Sequence, residues 1–324
     1  MRALRLHAAG DLRLHEEPTP EAADGELLLR VSAVGLCGSD RHWYLEGEIG
    51  DAALAQPLVL GHEFVATVEE GPRRGQRVVC DPAVPCGACP LCLEGRHNLC
   101  RDARFAGHST DGALRTLMTW PERLVHAVPD SLSDEEATLL EPLGVALHAV
   151  DLGQVRPGVA VGVLGCGPIG LLLVRVLAAV GAGPVLAFDP VPHRLAAAEA
   201  SGAIPGHPDG ADVVFDCTDA DSLGEAVEAV RPGGRVVAVG IPAGDRSSFA
   251  ASVARRKELT IVLCRRMQPA DLPRALRVVT MGRVSLGSLV SDRFALADGA
   301  QAFSALADRR GLKVVVDPQR DGTG

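Results

Sequence analysis

Short runs in which apolar and polar residues alternate, cut by Gly and Pro, fill the chain up to about residue 130. Glu26 to Val34, Phe64 to Glu69 and Gln76 to Cys80 carry this alternation or a β-branched content and predict strands, so the region reads as a β-rich domain. Near Val145 the period changes. Val159 to Leu164 is a continuous apolar run of strand length, and Pro168 to Val180 is apolar on nearly every face, as a covered helix would be. Val185 to Phe188 supplies a second strand. Asp212 to Phe215, Arg235 to Val239 and Leu259 to Leu263 are further strand candidates, with helical segments between them. Strands alternating with helices predict an α/β class with a doubly wound parallel sheet. The tail from Leu289 to Val316 reads strand, helix, strand and can rejoin the first domain. The expected division is therefore 1–144 with 285–324, and 145–284 between them. No internal repeat or low-complexity linker interrupts this plan.

Cys86, Cys89, Cys92 and Cys100 fall at offsets of three, three and eight in a stretch rich in turn formers. This is the spacing of a closed four-thiolate zinc loop, in which the metal supplies the order that packing cannot. Two disulfides are the alternative. Nine Cys in 324 residues is an odd count and a sparse one, and the start Met-Arg-Ala-Leu-Arg-Leu-His holds no apolar run before a cleavage site. A reducing cytoplasm is therefore expected, where clustered thiols mean metal.

Composition narrows the partners. With 47% apolar residues the chain can bury more than one core, and its length favours two domains. A net charge of −9 and a pI near 5.6 argue against nucleic acid or an anionic membrane. The longest apolar region, Val159 to Phe188, is broken by Arg175 and by glycines, so no transmembrane span is expected. Only two of the 32 basic residues are Lys.

Gly165-Cys166-Gly167-Pro168-Ile169-Gly170 follows a predicted strand and opens a predicted helix, the context that makes a GxGxxG motif specific. Gly165 permits the tight turn, Gly167 lets the backbone approach a pyrophosphate, and Gly170 lets helix pack on strand. Pro168 and Ile169 open the helix whose unpaired N–H groups face the phosphates. Asp189 ends the next strand, nineteen residues after Gly170, where its carboxylate can accept from the adenosine ribose hydroxyls. An acid there repels a 2′-phosphate, so NAD is preferred over NADP. Arg194 either reaches such a phosphate or lies along the ribose.

Gly35-Leu36-Cys37-Gly38-Ser39-Asp40 and Gly61-His62-Glu63 place a thiol and an imidazole beside glycines in the first domain. Alone, a buried Cys or a satisfied His is the ordinary reading. Together with the four-cysteine loop, the dinucleotide motif and Glu141-Pro142-Leu143 they point to a second zinc site.

In these motifs, and in Ile49-Gly50, Val59-Leu60-Gly61, Asp111-Gly112-Ala113 and Gly311-Leu312-Lys313, the chain resembles the zinc-containing medium-chain alcohol dehydrogenases, within them the sorbitol (polyol) branch. The resemblance runs nearly end to end. It implies a β-rich GroES-like catalytic domain joined to a Rossmann domain. It further implies Cys37 and His62 as catalytic zinc ligands, with Glu63 a ligand in the polyol branch and Glu141 reaching the metal directly or through water. Cys86, Cys89, Cys92 and Cys100 become structural ligands, and Ser39 and His42 a proton relay from a substrate hydroxyl that the cation acidifies. Hydride would pass to NAD. His97, His108, His126 and His148 receive no role, and Cys80, Cys166, Cys217 and Cys264 read as small buried hydrophobes.

The chain departs from that family between Gly202 and Val213, where Ala-Ile-Pro-Gly-His-Pro-Asp-Gly-Ala-Asp replaces the usual strand and helix. Two prolines and two glycines in ten residues predict a bare crossover loop. Candidate pocket residues by the resemblance are Trp43, Tyr44, Glu46, Phe105 and Arg266, although Trp43 and Tyr44 equally suit a core. Glu46 favours a hydroxyl-rich or amine-bearing substrate, hence a polyol or an aminocyclitol of the kind met in antibiotic biosynthesis. An amino-alcohol (threonine-like) dehydrogenase, a zinc-free quinone reductase and a non-catalytic dinucleotide-binding relative are the other readings. The expected oligomer is a homodimer or homotetramer.

Overall fold

The strand Glu26–Gly35 organises the first unit, because three others pair with it antiparallel: Glu63–Val68, Leu117–Pro121 and Lys313–Asp317. Its alternation works as the sequence demands, with Leu27, Leu29 and Val31 buried in the core. Outward from it the sheet continues through Arg77–Cys80 to Val125–Ala127 on one side, and from Lys313–Asp317 to Val290–Ala295 on the other. The last two strands run parallel and are joined by the helix Gly299–Ala307. Phe64 meets Trp120 edge to face at 6.1 Å, and the Trp120 Nε1–H donates to the Asp81 carbonyl at 2.9 Å, so the buried indole is satisfied.

The computed structural model describes residues 1–322, and the chain divides into two units. One comprises Met1–Glu141, Leu272–Thr280 and the residues from Leu286 onward; the other comprises Pro142–Asp271 and Met281–Ser285. Among the described residues no helix is long and apolar enough to cross a membrane.

The second unit is a six-stranded parallel sheet in the order Ile204–Pro205, Val185–Phe188, Val161–Leu164, Val213–Asp216, Arg235–Ala238, Thr260–Leu263. The order reverses at Val161–Leu164, and ligands of such sheets bind beyond the carboxyl ends of the strands at that point. The expected β-rich plus doubly wound α/β class is what the chain adopts.

Between Ala203 and Asp212 there is a two-residue strand and no helix. Gly206 N–H donates to the Ala187 carbonyl at 3.0 Å, after which the chain crosses the sheet. Pro208 is buried directly over Gly162, where a Cβ would lie only 2.2 Å from the proline Cβ. Glycine in the middle of the central strand thus lets a single proline cover ground that a helix would otherwise cover. His207 fastens this crossover: its Nδ1 lies 2.8 Å from Asp209 Oδ1 and its Nε2 3.1 Å from Glu225 Oε1, with the ring edge-on to Phe188.

Burial opposes charging of His207, but the bonds to Asp209 and Glu225 outweigh it and hold the pKa above its ordinary 6.5. The folded state therefore binds the extra proton more tightly, so this stabilisation is complete below the unfolded pKa and is lost as pH rises through the folded one. His207→Gln should lower the urea midpoint of unfolding at about pH 6 and lower it less at about pH 8.5, a small effect for a partly exposed group.

Candidate metal and dinucleotide sites

The helix Gly38–Glu46 begins at Cys37, its N-cap, and the fully buried Asp40 fixes what surrounds that end. Asp40 Oδ2 accepts from the Cys37 N–H at 2.9 Å and Oδ1 from the Gly61 N–H at 3.2 Å, with His62 Nδ1 3.8 Å from the same oxygen. One carboxylate thereby ties the Cys37 turn to the Gly61-His62-Glu63 turn. Gly61 is required there, since its φ is +90° and a Cβ would lie 2.7 Å from Val34 Cγ1.

Cys37, His62 and Glu63 bring one ligand atom each to within 4.8 Å of one another. Glu141, in the first turn of Leu140–Gly153, stands outside that trio but feels the charges of His62, Glu63, Cys37 and Lys313. Burial, and then the charge of Glu63, push the Cys37 thiol up to about 12, and burial pushes the Glu141 carboxyl up to about 8. Both shifts disfavour the charged forms, which a bound cation would favour. A thiol, an imidazole and carboxylates in one dry pocket suit zinc, so the donor set fits the metal. The Ser39 hydroxyl bonds the Cys37 sulfur and favours its thiolate.

Lys313 is the fixed cation of this pocket. Its Nζ contacts Glu63 Oε2, and both side chains are 1% exposed. Gly35 makes room for the pair, because a Cβ there would stand 2.6 Å from Glu63 Oε2 and 2.8 Å from Lys313 Cε. Neither Asp40 nor Lys313 was assigned a role from sequence. The rarity of lysine was the available signal: the other one, Lys257, caps carbonyls at the end of Leu223–Ala229, bonding Val230 O at 2.8 Å and Val227 O at 3.2 Å.

Cys86, Cys89, Cys92 and Cys100 gather their sulfurs within 4.8 Å and form no disulfide. Cys86 and Cys92 sulfurs are 3.9 Å apart, as are those of Cys89 and Cys100. Four thiolates at roughly 2.3 Å around a tetrahedral zinc have edges of about 3.8 Å, so the lobe has the size the metal needs. N–H groups of Ala88 and Cys89 bring the Cys86 thiol down to about 6.

In the second unit Gly165 has φ +85°, Gly167 caps the helix Pro168–Ala179, and a Cβ on Gly170 would lie 1.9 Å from Gly165 O. Asp189 Oδ2 accepts from the Cys166 N–H at 2.7 Å and Oδ1 from the Val191 N–H at 2.8 Å. The carboxylate is thus locked to the glycine loop with one lone pair on each oxygen left over. Arg194 Nη1 lies 3.8 Å from where a Gly167 Cβ would stand.

Other sequence candidates fall elsewhere. Trp43 is buried in the core, and Tyr44 is partly buried against it and packs on Phe303, so both serve the core. Phe105 covers the His62 ring at 5.2 Å. Arg266 belongs to the second unit and has φ 56°. Glu46 is bonded to His42, its Oε1 3.0 Å from Nδ1. Cys80 and Cys166 are buried, but Cys217 and Cys264 are partly open because each follows the end of a strand.

The alcohol dehydrogenase GroES-like domain model matches residues 23–130, and the zinc-binding dehydrogenase model matches 206–281. Sorbitol dehydrogenase of Bacillus subtilis (strain 168) is 32% identical over 346 aligned positions, spanning 99% of this chain and 98% of that protein. The chain belongs to the zinc-containing alcohol dehydrogenase family. Among solved structures, the dehydrogenase is similar to an alcohol dehydrogenase of Escherichia coli CFT073 complexed with NADH (TM-score 0.89, 27% identity, 98% of this chain and 99% of that one). It is also similar to a zinc-binding dehydrogenase of Sinorhizobium meliloti 1021 bound to NADP (TM-score 0.88, 30% identity, 98% and 99%).

Removing the buried cation should expose its role. Lys313→Met leaves Glu63 charged without a partner, so the chelator-treated dehydrogenase should lose about 3 kcal/mol of stability in urea unfolding. Adding zinc should restore more stability to the variant than to the unaltered protein.

Proposed function

We propose that the enzyme oxidises a secondary alcohol of a polyol or aminocyclitol with NAD, reversibly, at a zinc held by Cys37, His62 and Glu63. The observation that carries this reading is the convergence of those three donors in one buried pocket. Glu141 would reach the same metal directly or through water, and Cys86, Cys89, Cys92 and Cys100 would hold a second, structural zinc. Bound zinc supplies the Lewis acidity that lets a substrate hydroxyl release its proton near neutral pH. Ser39 and His42 carry that proton away.

The region 145–284, most of which lies in the second unit, is read as the NAD-binding domain. The glycine turn Gly165, Gly167 and Gly170 with Pro168 and Ile169 presents a helix N-terminus to the pyrophosphate. The free lone pairs of Asp189 suit the ribose hydroxyls, and its charge repels a 2′-phosphate, which favours NAD over NADP. Arg194, close to Gly167, is read as lying along the adenosine ribose. The polyol preference rests on the sorbitol dehydrogenase likeness, and an aminocyclitol of antibiotic biosynthesis is the narrower form of it. A cytoplasmic homodimer or homotetramer completes the reading.

Metal analysis and kinetics test it. Cys37→Ser should keep zinc in the four-cysteine lobe, lose the other metal and abolish turnover, while NADH binding changes by less than about threefold. Cys100→Ser should empty the lobe and lower thermal stability first. A substrate panel in which ethanol outruns sorbitol and aminocyclitols, or turnover by metal-free protein, would overturn the reading.

A further inference from the structure

The helix Gly38–Glu46 ends on an acid. Glu46 is its last residue and no basic side chain stands in the last turn, although the carbonyl end of a helix disfavours a carboxylate. Helix stability therefore does not account for Glu46. Its Oε1 is instead 3.0 Å from Nδ1 of His42, one turn back. His42 is 3% exposed, whereas Glu46 opens to solvent. The same helix starts on Cys37, carries Ser39 in its first turn, and so leads from a metal-ligand thiol past a hydroxyl and an imidazole to a carboxylate at the surface.

We propose that Glu46 is the positioning residue of the proton path, holding His42 in the tautomer with hydrogen on Nδ1 and a free lone pair on Nε2. The proposal rests on the relay reading of Ser39 and His42 above. Neutral imidazole has one donor nitrogen and one acceptor, and a carboxylate beside Nδ1 decides which is which. With the roles so fixed, the proton leaving the substrate hydroxyl joins Nε2. The imidazolium then forms against a waiting negative charge, and the Nδ1 proton departs to water at the Glu46 end. One proton enters and one leaves, which puts the remaining hydrogen on Nε2; the starting tautomer returns when Nε2 gives that proton to solvent and Nδ1 takes one from water beside Glu46, while the hydride goes to the nicotinamide cofactor. A surface helix pair of the same spacing would have both partners in water and would lie the other way along the helix.

The test uses the zinc-loaded enzyme with the fastest alcohol of a panel of sorbitol, xylitol and 2,3-butanediol. It compares Glu46→Gln, His42→Ala and the double variant for kcat, KM, solvent isotope effect and NADH affinity. His42→Ala should lower kcat about a hundredfold and Glu46→Gln about tenfold, with KM and NADH affinity changed by less than about twofold and a larger solvent isotope effect in Glu46→Gln. The double variant should be no slower than His42→Ala alone. A normal kcat in Glu46→Gln beside a slow His42→Ala, or additive losses in the double variant, overturns the role of Glu46 and leaves the relay standing. A normal kcat in His42→Ala sinks the relay reading itself.

Discussion

Gathering Cys37, Glu63 and Glu141 around His62 away from water is the constraint on which the first unit is built. Each charge removed from water costs several kcal/mol, and attraction inside repays that only where opposite charge is held in place. The chain supplies Lys313 from its last strand, Lys313–Asp317, which pairs with Glu26–Gly35 so that Val315 lies opposite Gly35. The C-terminal segment therefore belongs in the first unit for an electrostatic reason as well as a packing one. Asp40 does the complementary work, using both oxygens to bind the backbone of the two turns that carry the candidate metal donors Cys37, His62 and Glu63.

Groups whose chemistry is local were legible in the sequence. The four-cysteine lobe and the glycine turn each lie within one short stretch, so spacing alone constrains their geometry. The strands that the sequence pattern names, such as Glu26–Gly35 and Val185–Phe188, fall within two residues of their expected bounds, whereas Arg2–Ala8, Asp11–Glu16 and Leu117–Pro121 were not singled out. The crossover was legible because prolines and glycines forbid a helix whatever surrounds them.

Long-range partners were hidden. Lys313 meets Glu63 across 250 positions of sequence, and no periodicity announces such a contact. Asp40 looks like an ordinary helix-start acid until the Gly61 turn is folded against it. Glu46 reads as a pocket acid in the sequence, where nothing shows that it bonds His42 one turn back on the same helix. Trp43 and Tyr44 show the same difficulty: aromatic residues beside a reactive motif fit a pocket or a core equally well until the packing is seen.

The shortened crossover has its own consequence for motion. The outermost strand of the parallel sheet is held by the pairings Leu186 with Ile204 and Ala187 with Pro205, and the proline has no amide hydrogen to give. An edge so brief can fray and re-form without disturbing the central strands, where cooperative opening requires far more. Amide hydrogens near Gly206 should therefore exchange with solvent sooner than those of Val161–Leu164, so that the shortened crossover sets where this edge of the sheet opens.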